Sequence, residues 1–320
     1  MSELMVHLKK DIRGVRMESS LLILLAIILM GSVFLAYNSV LQYLSSSYGL
    51  VITTRLMQTS LNYALTSYWN EVITFQALLL LIFSSCAFGN EKESGMLKFT
   101  LAFGADKRRV YLSKFLLLVI ISAIALIGDM LVFVIMITAT GSLPLDVGVF
   151  FTSSFFVLNQ FIVVISLGIL ISSLTKKKTT AIVLAIAFMI GSMAASSFLM
   201  NAGLSDSWAD FNQEKSVDPS VVYNSEYIIA HFPIKYSIPL FMLPWRAPSD
   251  GMHQSINIES DPYNSSGTYL LSMEGNLLVC LGLIVMYLGI GYLLFSRERK
   301  TYGSLLASFS GKRGPSEGKR

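Results

Sequence analysis

Six stretches of about 20 residues with almost no charge, at 21–37, 72–88, 115–138, 149–174, 179–200 and 277–295, restrict this 320-residue chain more than any other feature. At a rise of 1.5 Å per residue, ~20 helical residues cross a hydrocarbon layer of ~30 Å. Lipid offers backbone N–H and C=O groups no partner, so each run must satisfy its own as a helix; a β-barrel would show shorter, alternating segments. A hydrophobic content of 53% with only 14% charged residues is too apolar for a soluble domain of this size. The expected class is an all-α polytopic membrane protein with six transmembrane helices.

Lys and Arg set the orientation, because basic loops stay cytoplasmic. With both termini cytosolic, twenty basic residues lie inside: Lys9, Lys10, Arg13 and Arg16 at the start, six between Lys92 and Lys114, Lys176 to Lys178, and seven in the tail from Arg297 to Arg320. Only Arg55, Lys215, Lys235 and Arg246 lie outside. The expected location is the cell membrane, multi-pass, with membrane lipid as a standing partner. The net charge of +4 marks this topology, and no basic stripe with interleaved aromatics points to nucleic acid. The first run is longer than a typical signal core and has a poor cleavage site in Ala36-Tyr-Asn-Ser39, so it reads as an uncleaved anchor. Cys86 and Cys280 fall at opposite membrane faces in this topology and are read as packing residues.

The chain then divides into a cytosolic interfacial helix over 1–20, spans one to five over 21–200 with a cytosolic loop at 90–114, an extracytoplasmic domain over 201–275, span six at 276–296 and a basic cytosolic tail at 297–320. Residues 38–70 are expected to extend spans one and two as helices, and the tail after Lys300 to be disordered. Within the acidic outer domain, 228–245 is apolar but carries Pro233, Pro239 and Pro244. Prolines at that density suit either a re-entrant hairpin or a loop packed on the domain.

Catalytic chemistry finds no support. His7, His231 and His253 stand apart, with no His-Glu-x-x-His, Gly-x-Ser-x-Gly or Cys-x-x-Cys pattern, so neither a catalytic set nor a metal site is expected. Asn264 opens an N-glycosylation string, a pattern common by chance. Asp129 is the only acid well inside a run, at an insertion cost of ~2.5–3.5 kcal/mol for a helix centre. Two readings fit it: a place on a substrate pathway together with Asn159 and Gln160, or a structural hydrogen bond to one of those two residues in the outer third of the membrane.

The loop at 90–114 is the most informative segment. Glu91, Glu93 and Ser94 precede Met96, Leu97, Phe99, Leu101 and Phe103, too apolar a set for a solvated linker, and acids suit a helix start. One short helix from about 91 to 103 is expected, stopped by Gly104. Asp106 is placed to cap the next helix, with Lys107, Arg108 and Arg109 at its start.

This stretch resembles the signature of type-2 ATP-binding-cassette transporter permeases. Glu91, Glu93, Gly95, Leu97, Leu101, Lys107 to Arg109 and Lys114 match the family pattern, whereas Gly104, Asp106-Lys107 and Ser113 stand where it often has Pro, Ser-Arg and Gly. The resemblance implies the type-2 exporter permease fold, with a coupling loop that engages a cytosolic ATPase subunit through Glu91, Glu93, Gly95, Met96, Leu97, Phe99, Leu101, Phe103, Lys107 and Arg108. It also implies a second permease copy or a paralogue. No Gly-x-x-x-x-Gly-Lys-Ser/Thr loop occurs, so ATP and Mg are expected on a separate ATPase chain, with no cofactor on this one. Two other classes remain open from the residues: a membrane scaffold that recruits an outer partner under ATPase control, and a stand-alone channel or secondary carrier. The carrier reading would want Gly/Pro-broken spans and midplane charges in both halves.

Overall fold

The computed structural model describes residues 19–47, 54–102, 106–139, 147–217 and 273–310, which are helical apart from short breaks such as those at 86–88, 94–95 and 175–177, with no strand among them. The described elements are α1 (Ser19–Ser47), α2 (Thr54–Ser85), α3 (Gly89–Glu93), α4 (Met96–Ala102), α5 (Lys107–Ala139), α6 (Val147–Leu174), α7 (Lys178–Val217) and α8 (Met273–Ser310). Five contain stretches long and apolar enough to cross a membrane: Ile23–Leu41, Lys107–Ala139, Phe150–Leu174, Lys178–Gly203 and Leu277–Arg297. α2, which holds the other expected span, is a continuous 32-residue helix whose apolar part includes Glu71–Ser85, and the chain turns at Cys86 to Phe88.

Helices outrun the apolar runs that nucleate them. α1 and α2 continue to Ser47 and back to Thr54, as expected for 38–70, and α7 carries 14 residues past Gly203 into the segment assigned to the outer domain. The tail after Lys300 is helical to Ser310, contrary to the disorder expected of it. A helix already wound through α8 needs no new nucleation to extend through Ser304-Leu-Leu-Ala307. The interfacial segment 1–18, the 228–245 segment and the three histidines lie outside the described residues.

α6 is the axis of the bundle. In its 18-residue apolar window 72% of the residues are buried, against 17% in that of α8. It packs on α2, α5, α7 and α8. α2 and α6 run parallel in one fixed register. The Trp69 indole donates to Ser153 Oγ at 3.0 Å, and the backbone N–H of Phe88 donates to Ser172 Oγ at 2.9 Å, each pair 84 residues apart. Between them Gly168 lies so close to α2 that a Cβ there would collide with the Ser84 side chain and approach the Leu81 carbonyl. Small residues permit this backbone approach, which lets dispersion and weak polar contacts hold helices in lipid.

Two aromatic clusters bracket the seam. Tyr68 stacks on Phe133 at 4.8 Å and Trp69 lies 6.3 Å from Phe150 at the far end. Phe88, Tyr111 and Phe295 gather at the loop end, with Phe88 stacked on Phe295 at 4.8 Å.

Gly168→Ala should lower the thermal unfolding midpoint in detergent, since filling a tight backbone contact costs ~1–3 kcal/mol. Gly191→Ala meets no atom within 4 Å and should leave the midpoint unchanged. Equal midpoints for the two variants would contradict the described seam.

Candidate functional site

Three consecutive charges open the loop, and helical geometry sends them three ways. Successive residues of a helix are 100° apart, so Glu91, Lys92 and Glu93 on α3 cannot share a face. Glu91 Oε1 pairs with Lys114 Nζ of α5 at 2.8 Å in a partly sheltered site. Lys92 Nζ donates to three carbonyl oxygens at the C-terminal end of α6, those of Ser172, Ser173 and Thr175, each at 3.0 Å. The backbone N–H of Lys178, first residue of α7, donates to Glu93 Oε1 at 2.6 Å. A cation thus meets the negative end of one helix and an anion the positive end of the next.

The expected single helix over 91–103 is two helices. Gly95 adopts φ +75°, a left-handed conformation that favours glycine, and its N–H donates to the Lys92 carbonyl at 3.3 Å, ending α3. Ser94 Oγ accepts from the Met96 N–H at 3.4 Å and starts α4. The apolar residues divide between two sides. Leu97 is 4% exposed and belongs to the core cluster, Leu101 packs half-buried against it, and Met96 is 56% exposed. Leu97 therefore faces the core of the bundle, and Leu101 lies at its margin. Phe99 lies on α4, and Phe103 lies outside the described residues.

Asp106 caps α5 as expected, its Oδ1 accepting from the Arg108 N–H at 3.1 Å. Lys107 Nζ donates to the Ser296 carbonyl of α8 at 2.8 Å, and Arg108 Nε to the Tyr292 hydroxyl at 3.3 Å. Below them the Tyr111 hydroxyl donates to the Leu288 carbonyl at 3.2 Å. The loop and the start of α5 thereby touch α6, α7 and α8.

Asp129 sits elsewhere, in the third of α5 remote from the loop, fully buried among three helices. Gln76 Nε2 of α2 donates to both its carboxylate oxygens at 2.9 and 2.8 Å, and the Ser32 hydroxyl of α1 lies against Oδ1. The Tyr68 hydroxyl donates to the Asp129 backbone carbonyl at 3.0 Å. Its partners are thus α1 and α2, and neither Asn159 nor Gln160 is among them, which corrects the structural alternative as expected. Asn159 is half-buried. Gln160 is buried opposite Gln76 in the α2–α6 register, and neither atom of its amide has a partner among the described residues. Asn264 lies outside the described residues, and no group of three or more His, Cys, Asp or Glu occurs among them.

The residues missed from sequence are Lys92, Ser32 and Gln76. Lys92 carried a signal in the unbroken Glu-Lys-Glu run, since three adjacent charges must point to three neighbours. Ser32 and Gln76 carried none, because their role depends on which helices are adjacent.

Among comparisons with known proteins, the family model described as ABC-2 family transporter protein matches residues 5–299. No curated protein matches the chain.

Among the described residues Gln76→Leu removes the donor that reaches Asp129 Oδ2, and leaving a buried charged acceptor unpaired costs ~1–3 kcal/mol or more. It should lower the unfolding midpoint further than Ser32→Ala, which leaves both Gln76 bonds in place. The reverse order in a detergent thermal melt would show that the amide does not hold this junction.

Proposed function

The chain belongs to the ABC-2 family of transporter proteins, and from that membership we propose that it is the membrane-spanning permease subunit of an ATP-driven exporter. A separate cytosolic ATPase binds ATP and Mg, docks on the loop, and closes as it binds nucleotide. The loop end of the bundle is then the cytosolic face, consistent with its density of Lys and Arg. A second permease copy or a paralogue supplies the other half of the pathway, and the outward direction follows the resemblance to type-2 exporter permeases.

The observation that carries this reading is the two-sided build of α4. Leu97 and Leu101 root it in the bundle while Met96 stands exposed beside them. A seven-residue helix too short to be stable alone is held rigid by that rooting. A rigid projection moves as one piece with whatever grips its outer side. Met96 then supplies an adaptable apolar contact for an ATPase groove, flanked by Ser94 and Thr100. Asp129, Asn159 and Gln160 enter this reading differently: Asp129 joins α1, α2 and α5, and the Gln160 amide, with Gln76 Oε1 opposite, is a polar group in the α2–α6 seam available to cargo or water if the seam opens.

Affinity purification of the tagged chain from membranes of its own organism should bring down a stoichiometric ATPase carrying a Gly-x-x-x-x-Gly-Lys-Ser/Thr loop. Met96→Asp should reduce that ATPase by about tenfold, the equivalent of ~1.4 kcal/mol, without changing the unfolding midpoint of the chain. Leu97→Asp should instead lower the midpoint, because it buries a charge in the core. A purified wild-type chain without ATPase would defeat the functional reading; full retention by Met96→Asp would defeat the docking face.

A further inference from the structure

A loop between α2 and α5 has obvious levers in the two helices it joins. The bonds it makes lead elsewhere. We propose that the α6–α7 turn is the main receiver of loop motion, with Lys92 and Glu93 as the positioning residues that grip it. This rests on the reading that an ATPase drives α4.

The last carbonyls of α6 and the first N–H groups of α7 have no partners within their own helices. A turn of three residues, 175–177, brings these opposite poles side by side. Lys92 has three N–H donors and reaches three carbonyls with them. Glu93 takes the Lys178 N–H on the other side of the turn. Both are charge-assisted bonds, roughly twice as strong as neutral ones. The Phe88 N–H on Ser172 Oγ adds a third tie just before α3.

The backbones also meet closely. A Cβ on Gly89 would lie 3.2 Å from the Lys178 Cα, so the first turn of α3 rests directly on the start of α7. Two residues, Ser94 and the left-handed Gly95, then connect α3 to α4. A push on α4 is passed to α3, and from α3 to the end of α6. Because α6 packs on α2, α5, α7 and α8, displacing its end reaches most of the bundle. α1 touches α2 and α5 and follows through them.

The polarity of the grip is specific. The helix ends fix the sign each partner must have, so exchanging the two charges cannot restore it, whereas an ordinary ion pair between residues 92 and 93 would survive exchange. This separates a grip on helix poles from a local charge pair.

The test uses the purified complex of the full chain with its ATPase, and hydrogen exchange with and without ATP plus vanadate. In the wild type, nucleotide should change exchange both in α4 and over residues 172–182. In Lys92→Met and in Glu93→Gln the change in α4 should persist and the change over 172–182 should be lost. The double exchange Lys92→Glu with Glu93→Lys should behave like Lys92→Met. A nucleotide response over 172–182 that is undiminished in both single variants overturns the proposal, as does its restoration by the double exchange. If Lys92→Met does not assemble, Glu93→Gln decides alone, since it keeps a hydrogen-bonding oxygen and loses only the charge. Absence of any nucleotide response in wild-type α4 would instead count against the ATPase-driven reading itself.

Discussion

The carbonyls left free at the end of a buried helix need donors from somewhere, and at the end of α6 three of them are met by one ammonium group, that of Lys92. Much of the loop-end architecture follows from this. Lys92 can reach α6 only if α3 lies across the α6–α7 turn, which the bare Cα of Gly89 permits. With α3 there, Glu91 falls beside Lys114 and Glu93 beside the first N–H of α7. Gly95 then turns the chain so that Leu97 enters the core and Met96 remains outside. The aromatic packing of Phe88 on Tyr111 and Phe295 closes the same end from beneath.

The far end is held by different means. Asp129, Gln76 and Ser32 exchange hydrogen bonds among α5, α2 and α1, and the Tyr68 hydroxyl adds a bond to the α5 backbone. Polar groups at such depth are expensive and persist when paired. Here the pairing joins three helices at one level, while nearer the loop end α2 and α6 approach closely where Gly168 meets Ser84. Strong polar junctions at both ends and this close contact between them suit helices that tilt about a far anchor when their loop end is displaced.

Much of this fold was legible from apolar runs, since lipid permits little else than helices. The limits of those runs were a weaker guide to helix ends: α7 passes residue 200 and α8 passes Lys300 because an established helix extends through polar residues at little cost. The position of the loop and the cap at Asp106 followed from local chemistry. The side that Leu97 faces did not, because a seven-residue helix shows too few turns for its periodicity to say which face is covered. Nor did the partners of Asp129, since Gln76 and Ser32 come from helices 53 and 97 residues away in sequence. Those pairings depend on which helices are neighbours, and α6 beside α2 in parallel is an arrangement that short antiparallel turns do not suggest.

In the proposed mechanism the chain is a transmission, in which closure of an ATPase on α4 becomes displacement of the α6–α7 turn relative to α1, which the grip does not touch. The most direct measurement is the distance between probes on Ile23, exposed near the start of α1, and Lys177, exposed in the turn, in the complete complex in lipid nanodiscs. That distance should shift when ATP and vanadate are added and return when nucleotide is removed. A distance that stays constant while the complex hydrolyses ATP would contradict the account.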